Sequence, residues 1–248
     1  MSTATPPHSN DHTVFYLRPP SPDKLDAICA ERADAPFTFS PAGVTERDPL
    51  EPRPGFVIDR YGVVLGRGAQ VYERAIQAVR DFAMYPPGWT RIHRPPGHRE
   101  IRTGALFVTI VHHLGFCSAL PCRLIYTFDS ARDHGRSDGQ SDDAAESPAA
   151  DSPVVHRFGF ALGTLPGHAE CGEERFDVSW NSQTGQVRYD VLAISRPEAP
   201  LARLGAPFAR LLQKRFARDS QANMLQVVNP VTRLESGRIE SATEQLVP

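Results

Sequence analysis

The sequence predicts an α+β fold in which a curved antiparallel sheet packs on one long C-terminal helix. Strand-like segments rich in valine, isoleucine and aromatic residues follow one another through the chain, separated by turns rich in glycine and proline. The last three of these segments come directly before a long amphipathic segment. Strands followed by a closing helix are typical of α+β proteins with an antiparallel sheet. We therefore expect a helix-grip arrangement, in which the sheet and the helix leave a cavity between them.

Composition restricts the classes of protein to which the chain can belong. Its 248 residues are enough for one large or two small domains, and a formal net charge of −2 argues against non-specific nucleic-acid binding. The longest apolar runs are far shorter than the ~20 residues that cross a bilayer, and the polar N-terminus has no signal-peptide pattern. The four cysteines form no CxxC motif, as expected in a reducing compartment. We expect a cytoplasmic protein that binds no nucleic acid and has no transmembrane segment.

Short strands and two helices are predicted in the first half of the chain. Residues 14–17 form a short strand-like run, and Ser21 has the sequence context of a helix N-cap. Residues 37–39 and 56–65 also have the composition of strands. Apolar side chains at helical spacing follow Gly68 and predict an amphipathic helix there.

Strands dominate the second half of the predicted fold, and one long helix ends it. Six further segments have strand composition: residues 89–92, 105–111, 122–128, 154–162, 174–180 and 186–194. The long helix is predicted over residues 199–225, and Pro207 is expected to bend or restart it. Its predicted apolar face consists of Leu201, Leu204, Phe208, Leu211, Leu212 and Phe216. Its other face is basic.

Residues 1–12 and 130–153 are predicted to be disordered, and the composition of the second segment cannot bury enough apolar surface to offset the entropy lost on ordering. Residues 1–12 form a polar lead, and residues 229–248 form a loose polar tail. Residues 130–153 form an acidic insertion with no aromatic residue and no aliphatic residue larger than alanine. Strand composition resumes directly after this insertion, so we interpret it as a loop within one α+β domain, residues 13–228.

The densest group of ionisable residues lies within residues 159–177, between two predicted strands. His168 is followed closely by Glu170, Glu173 and Glu174. Histidine titrates near neutral pH, and a neighbouring carboxylate can orient it as a general base, so His168 and Glu173 are candidate catalytic residues. Alternatively, His168 caps a turn and the glutamates are solvated or form ion pairs. The same set could hold zinc or manganese, since histidine and carboxylate are good ligands for these ions. The spacing contains no HExxH or HxH motif, however, and no metal site is predicted.

Alternating side chains in the last strands have the composition of a ligand-cavity wall. Phe176, Val178 and Trp180 share one face of their strand, and Tyr189 shares a face with other apolar residues of the next. The predicted ligand-binding residues combine such strand positions with polar groups of the turn: Thr164, His168, Glu170, Arg175, Trp180 and Tyr189. We expect the ligand to be a small, largely apolar molecule.

Two other functions are compatible with the same residues. The first is an enzyme, a hydrolase or a cyclase, that uses His168 as acid or base with Glu170 or Glu173 as its partner. The second is an interaction module recognised through the basic face of the last helix. A nucleotide cofactor is not expected, because Val71 stands where a GxGxxG turn has its third glycine. No other cofactor is predicted.

Several motifs carry a resemblance to a known family. They are Phe37-Thr38 with Gly43-Val44-Thr45, the Leu65-Gly-Arg-Gly turn with Ala75, Gly163-Thr-Leu-Pro-Gly-His168, Gly172-Glu-Glu-Arg-Phe176, and Ser195-Arg-Pro197 before the final helix. This set, which spans most of residues 15–225, resembles the domain-of-unknown-function family DUF1990 of bacteria and plants. Leu162 stands where that family tends to have tyrosine. The resemblance implies a single domain and directs attention to His168 and Glu173, but it implies no activity. The expected helix-grip fold is similar to that of Bet v 1 and START domains.

Overall fold

One eight-stranded antiparallel sheet forms the centre of the protein. The computed structural model describes residues 15–47, 49–113, 115–130, 154–198 and 206–230. The strands are β1 (Phe15–Tyr16), β2 (Val57–Arg67), β3 (Thr90–His93), β4 (Leu106–His113), β5 (Phe116–Asp129), β6 (Val155–Thr164), β7 (Glu170–Asn181) and β8 (Gln186–Pro197). They lie in the order β2-β8-β7-β6-β5-β4-β3, and β1 pairs with β5. The predicted curved antiparallel sheet is confirmed.

Three helices pack on this sheet: α1 (Pro22–Glu31), α2 (Ala69–Arg80) and α3 (Ala206–Val228). The predicted cap of α1 is present, because Ser21 Oγ accepts a hydrogen bond from the backbone N–H of Lys24 at 3.3 Å. Helix α2 buries one face, on which Tyr72, Ala75 and Val79 lie against the sheet. A short 3₁₀ turn, Val44–Glu46, completes the helical structure of the described residues.

The two faces of the sheet are covered differently. The inner face carries the largest apolar cluster, to which α2 and α3 contribute, and it includes Phe160, Phe176 and Tyr189. The outer face is covered by α1 over β4 and β5, and by residues 37–47 and 49–56 over β7, β8 and β2. Burying one large apolar side chain stabilises the folded state by about 2 kcal/mol, so the inner face supplies most of the core energy.

Some predicted elements differ from the observed ones. Residues 37–39 form no strand; Phe39 is buried against the outer face of the sheet, so its segment is apolar because it covers the core. Strands β5 and β7 begin six and four residues earlier than predicted, respectively, because sheet pairing continues through positions without strand composition. Pro207 lies in the first turn of α3, where no intrahelical hydrogen bond needs its missing N–H, and it does not interrupt the helix.

Helix α3 also departs in detail from its predicted faces. Leu211, expected on the apolar face, has 62% of its surface exposed, whereas Ala217, Met224 and Val228 are buried. Residues 199–205, with Leu201 and Leu204, lie outside the described part of the chain. The predicted lead, residues 1–12, and nearly all of the predicted insertion and tail also lie outside it. Strands β5 and β6, which flank the insertion, pair directly with each other.

Candidate functional site

A cavity of about 630 Å³ lies between the inner face of the sheet and α3. Helix α2 fills the other half of this face, so the cavity takes the half near the β6–β7 turn. Its walls are largely apolar and aromatic: Phe15, Tyr61, Tyr85, Trp89, Val111, Phe116, Leu120, Cys122, Leu162, Val191, Ala193, Leu212, Phe216 and Ala217. The predicted helix-grip arrangement, with a cavity between sheet and helix, is therefore present.

Strand register determines which polar groups face the cavity. Asp59 pairs with Ala193, Ala193 with Glu174, and Glu174 with Leu162, so one row of neighbours crosses four strands on the inner face. All four line the cavity. Side chains alternate along a strand, and Glu170 therefore joins Glu174 on this face. Two glutamates and one aspartate thus meet at one end of an apolar cavity.

Glu174 is the carboxyl group with no hydrogen-bond partner at this site among the described residues. Its side chain is half-buried, and the surface that it retains faces the cavity. Burial raises the pKa of Glu174 to about 8, and the negative charges of Glu170 and Asp59 add to that effect. At neutral pH this group is therefore mostly a protonated acid that faces an apolar space.

The other two carboxylates hold α3 in place. Gln213 Nε2 of the helix donates a hydrogen bond to Glu170 Oε1 at 2.6 Å. Burial also raises the pKa of Glu170. Asp59 forms a two-pronged ion pair with Arg210, in which Nη2 donates to Oδ1 at 2.5 Å. These contacts connect α3 to β7 and β2 across one end of the cavity.

His168 lies on the cavity wall and closes the turn between β6 and β7. Its Nδ1 lies 3.0 Å from both the backbone N and the carbonyl O of Glu170. Burial lowers the pKa of His168 to about 4, so the imidazole is neutral at pH 7. The turn is held from outside by α1, where Arg32 Nε donates to the Pro166 carbonyl at 2.6 Å. Thr164 Oγ1 accepts from the N–H of Gly172 at 3.0 Å, which closes the base of the hairpin.

The side chain of Glu173 belongs to the opposite face of β7. Its carboxylate accepts hydrogen bonds from the backbone N–H groups of Gly43 at 2.7 Å, Val44 at 3.3 Å and Thr45 at 2.9 Å. It also accepts a bond from the Thr45 hydroxyl. This set of bonds fixes the 3₁₀ turn on the outer face of the sheet. The carboxylate of Glu173 is therefore engaged in structure, while its strand position borders the cavity.

Arg175 lies on the same outer face as Glu173. Its Nε donates to Asp177 Oδ1 at 2.9 Å, and its guanidinium also donates to the Thr45 carbonyl. Arg157 Nη2 completes the network with a bond to Asp177 Oδ2 at 2.8 Å. Arg175 and Asp177 are both buried, and each has its charge compensated within the protein.

Trp180 and Tyr189 lie on the inner face but under α2 and α3, away from the cavity. The Tyr189 hydroxyl lies 2.9 Å from Ser220 Oγ of α3. Trp180 stacks on His156 with ring centroids 5.1 Å apart. The structure therefore brings Thr164, His168 and Glu170 together on the cavity wall. Glu173 also borders the cavity, although its carboxylate bonds to the outer turn. The structure places Arg175, Trp180 and Tyr189 elsewhere, and the binding and catalytic roles predicted for these residues stay predictions.

Several lining residues were not among those predicted from the sequence. Asp59, Tyr85 and Phe216 come from parts of the chain far apart in sequence, and only the fold brings them to one cavity. Glu174 could have been found, because it precedes Phe176 by two residues and therefore shares the apolar face of its strand. The described residues contain no group of three or more His, Cys, Asp or Glu side chains arranged to hold a metal ion. None of the described helices is long and apolar enough to cross a membrane.

The motif glycines are explained by close packing around this site. A Cβ atom at Gly172 would collide with the carbonyl oxygen of Ile194 on β8. One at Gly163 would come within 2.7 Å of the Phe37 ring, which lies against the outer face. Gly167 has φ of +91°, a conformation that L-residues rarely adopt. The Gly163–His168 and Gly172–Phe176 motifs thus preserve the shape of the hairpin that forms one end of the cavity.

Known proteins are similar in sequence to this chain over most of its length. A UPF0548 protein of Dictyostelium discoideum is 25% identical over 228 residues, which cover 87% of this chain and 96% of that protein. A UPF0548 protein of Deinococcus radiodurans is 29% identical over 215 residues, or 83% of this chain and 94% of the relative. A UPF0548 protein of Arabidopsis thaliana is 29% identical over 175 residues, which cover 71% of this chain and 75% of that protein.

Solved structures with a similar arrangement share little sequence. Ara h 8.0201 aligns over 69% of this chain and 99% of its own, with 9% identity and a TM-score of 0.39. The hypothetical protein jhp0584 from Helicobacter pylori aligns over 70% of this chain and 88% of its own chain, with 10% identity and a TM-score of 0.42. The model of the family described as "Domain of unknown function (DUF1990)" matches residues 38–223, which include the hairpin, the outer-face turn and most of α3. The chain belongs to the DUF1990 family.

Proposed function

We propose that the protein binds a small, largely apolar molecule in the cavity between the sheet and α3. The observation that carries this proposal is the cavity itself. Its volume of about 630 Å³ falls within the range of roughly 300–1,000 Å³ that is typical of small-molecule sites. Its walls combine many apolar and aromatic side chains with a few polar groups at one end, as ligand sites do.

The cavity is supported by polar contacts that fix α3 relative to the sheet. Arg210 bonds to Asp59, Gln213 to Glu170, and Ser220 to Tyr189. Near the end of the helix, Asn229 Nδ2 donates to the Leu65 carbonyl at 2.7 Å. Because these bonds hold the helix along its length, the space beside Leu212 and Phe216 is kept open while α2 packs tightly on the other half of the sheet.

The same contacts argue against a docking role for the basic side of α3. Arg210 forms an ion pair with Asp59, and Arg218 forms one with Asp219 of the same helix. Arg215 lies over the Trp89 ring at 4.5 Å and also reaches Asp219. Asp59 and Asp219 therefore offset part of the positive charge on this helix, which favours ligand binding over recognition of an acidic partner.

Thermal-shift measurements on the full chain with a panel of apolar and aromatic molecules test the proposal. A ligand present at ten times its Kd stabilises the folded state by about 1.4 kcal/mol, which raises Tm by roughly 3–5 °C for a chain of this size. Ala193 is a small residue on the cavity wall, and Ala193→Phe should fill the space and abolish the shift.

Val64→Phe is the matched control, because Val64 lies on the same sheet but 41% of its surface is exposed. This variant should respond to ligands as the unmodified protein does. If no molecule of the panel raises Tm, or if Ala193→Phe binds as well as the parent, the cavity is not a ligand site.

A further inference from the structure

We propose that the ligand is a cationic amphiphile, an apolar body with one protonated amino group that sits against Glu174. The inference rests on the proposed function and names the class of ligand that the cavity takes. It is carried by three observations: the sign of the charges around the cavity, the lack of a partner for Glu174, and the aromatic walls next to it.

The charged groups at the polar end of the cavity are predominantly acidic. Asp59, Glu170 and Glu174 line it, and no lysine or arginine side chain does so among the described residues. Arg210 compensates Asp59 from outside the lining. Three carboxyl groups therefore face one guanidinium, which leaves two negative charges when all are ionised. Such a site attracts a cation and repels an anionic ligand such as a fatty acid.

Glu174 is the carboxyl group of this site that no described residue compensates with a positive charge or a hydrogen bond. Asp59 has Arg210 and Glu170 has Gln213, but Glu174 has no hydrogen-bond donor from the described residues. A buried carboxylate is costly unless a positive group or hydrogen-bond donors compensate it. Since the described residues supply neither, a ligand ammonium of three N–H donors would fit this position.

The other titratable groups that face Glu174 are neutral at pH 7 or belong to pairs already described. From β2, β5 and the segment before β3 these are Tyr61, Cys122 and Tyr85, and Tyr189 of β8 interacts electrostatically with Glu174 from outside the cavity. Burial raises the pKa of each of them above its usual value, so all four remain protonated and uncharged. His168 in the turn is also uncharged, and none of the described residues that line the cavity is a lysine or arginine that would compete for Glu174.

The walls beside Glu174 suit the apolar body of such a molecule. Tyr85, Trp89 and Phe216 form a connected aromatic group, with centroids 5.4 Å apart for Tyr85 and Phe216 and 6.4 Å apart for Trp89 and Phe216. Aromatic faces attract cations as well as apolar groups. The cavity can therefore bury the body and stabilise the positive head of one molecule.

Binding of an amine should be coupled to release of a proton. Glu174 holds a proton at pH 7, and a ligand ammonium stabilises its ionised form. The carboxyl proton leaves to solvent, the ammonium keeps its own protons, and the complex contains a carboxylate–ammonium pair. The affinity for the amine should therefore rise about tenfold for each pH unit of increase below the pKa of Glu174, because binding releases one proton.

Isothermal titration calorimetry with three probes of one apolar body tests this inference on the full chain. Phenylbutylamine, phenylbutanol and phenylbutyrate differ in their head groups, which are cationic, neutral and anionic. The amine should bind at least tenfold more tightly than the alcohol, and the alcohol more tightly than the carboxylate. Titrations in buffers of different ionisation enthalpy should show release of up to one proton with the amine and none with the alcohol.

Glu174→Gln should remove both the preference for the amine and the proton release, while the alcohol still binds. Asp190→Asn is the matched control: it removes one carboxylate from the same sheet, at a position where the side chain pairs with Arg188 and lies outside the cavity. It should bind all three probes as the parent does. Equal binding of amine and alcohol, or preference for the carboxylate, overturns the inference and leaves the proposed function intact. Failure of all three to bind also overturns the inference, whereas the proposed function fails only if no molecule of the thermal-shift panel raises Tm.

Discussion

Replacement of Glu174 by glutamine should change how the stability of the protein depends on pH. The pKa of Glu174 is about 8 in the folded protein, against 4.5 for an ordinary glutamate. Between these values the folded state holds a proton that the unfolded state has lost, so stability falls as pH rises. The difference corresponds to roughly 5 kcal/mol as an upper limit, because a tenfold change in proton affinity is worth about 1.4 kcal/mol. Glutamine cannot titrate, and the variant should lack this loss.

Titration of His168 changes stability with pH in the opposite direction to titration of Glu174. It therefore limits the pH range in which the loss caused by Glu174 is clear. Its folded pKa of about 4 lies below the ordinary 6.5, so it contributes stability that is present above pH 6.5 and is lost as pH falls towards 4. Above pH 6.5 only the Glu174 effect of the two remains. From pH 6.5 to 8 the parent should therefore lose about 1.6 kcal/mol relative to Glu174→Gln.

Urea unfolding at several pH values across this range measures the difference directly. The free energy of unfolding of Glu174→Gln minus that of the parent should increase steadily from pH 6.5 to pH 8 and then level off. Asp190→Asn should show a constant difference, because its side chain lies outside the cavity. A constant difference for Glu174→Gln as well would show that this carboxyl group titrates normally and that its surroundings do not raise its pKa.

Three other substitutions test the hairpin and the turn that it holds. Glu173→Gln should lower the free energy of unfolding by about 3 kcal/mol in urea titrations, since buried backbone N–H groups lose their charged acceptor. Gly172→Ala should destabilise by at least about 2 kcal/mol because its Cβ would collide with backbone of β8, whereas Gly88→Ala, with no atom within 4 Å of the new Cβ, should leave Tm nearly unchanged. His168→Asn, which can retain an acceptor for the adjacent N–H, should remove up to about 3 kcal/mol of the acid-induced loss of stability between pH 6.5 and 4, measured by unfolding across that range.

The sheet could be predicted from sequence because its signals are local. Alternation of apolar and polar residues predicts most of β7 and β8, strand composition predicts most of β6, and helical spacing predicts α2. Residues 37–39 were misassigned because an apolar run indicates burial, whether the segment forms a strand or covers one. The start of β7 was missed because Glu170 to Glu173 lack strand composition and are held in the sheet by β6 and β8.

The candidate site could be predicted only in part, for a geometric reason. Closeness in sequence suggested a pair of His168 and Glu173, but successive side chains of a strand point to opposite faces. The strand therefore directs Glu173 to the outer turn and leaves Glu174 facing the cavity. Asp59 reaches the same cavity through its register with β8, which no local pattern reveals.

The roles of both faces of β7 depend on the number of residues that precede Glu173 in the strand. One face supplies the acid that lines the cavity, and the other supplies the carboxylate that holds the outer turn. Inserting or deleting a single residue before Glu173 would exchange the two faces, placing the structural carboxylate in the apolar space and removing it from the turn. Substitutions at either position alter one face alone, but a change in length disrupts both at once. The positions of the two adjacent glutamates therefore depend on the register of the hairpin, and both roles require the same number of residues between the turn and Glu173.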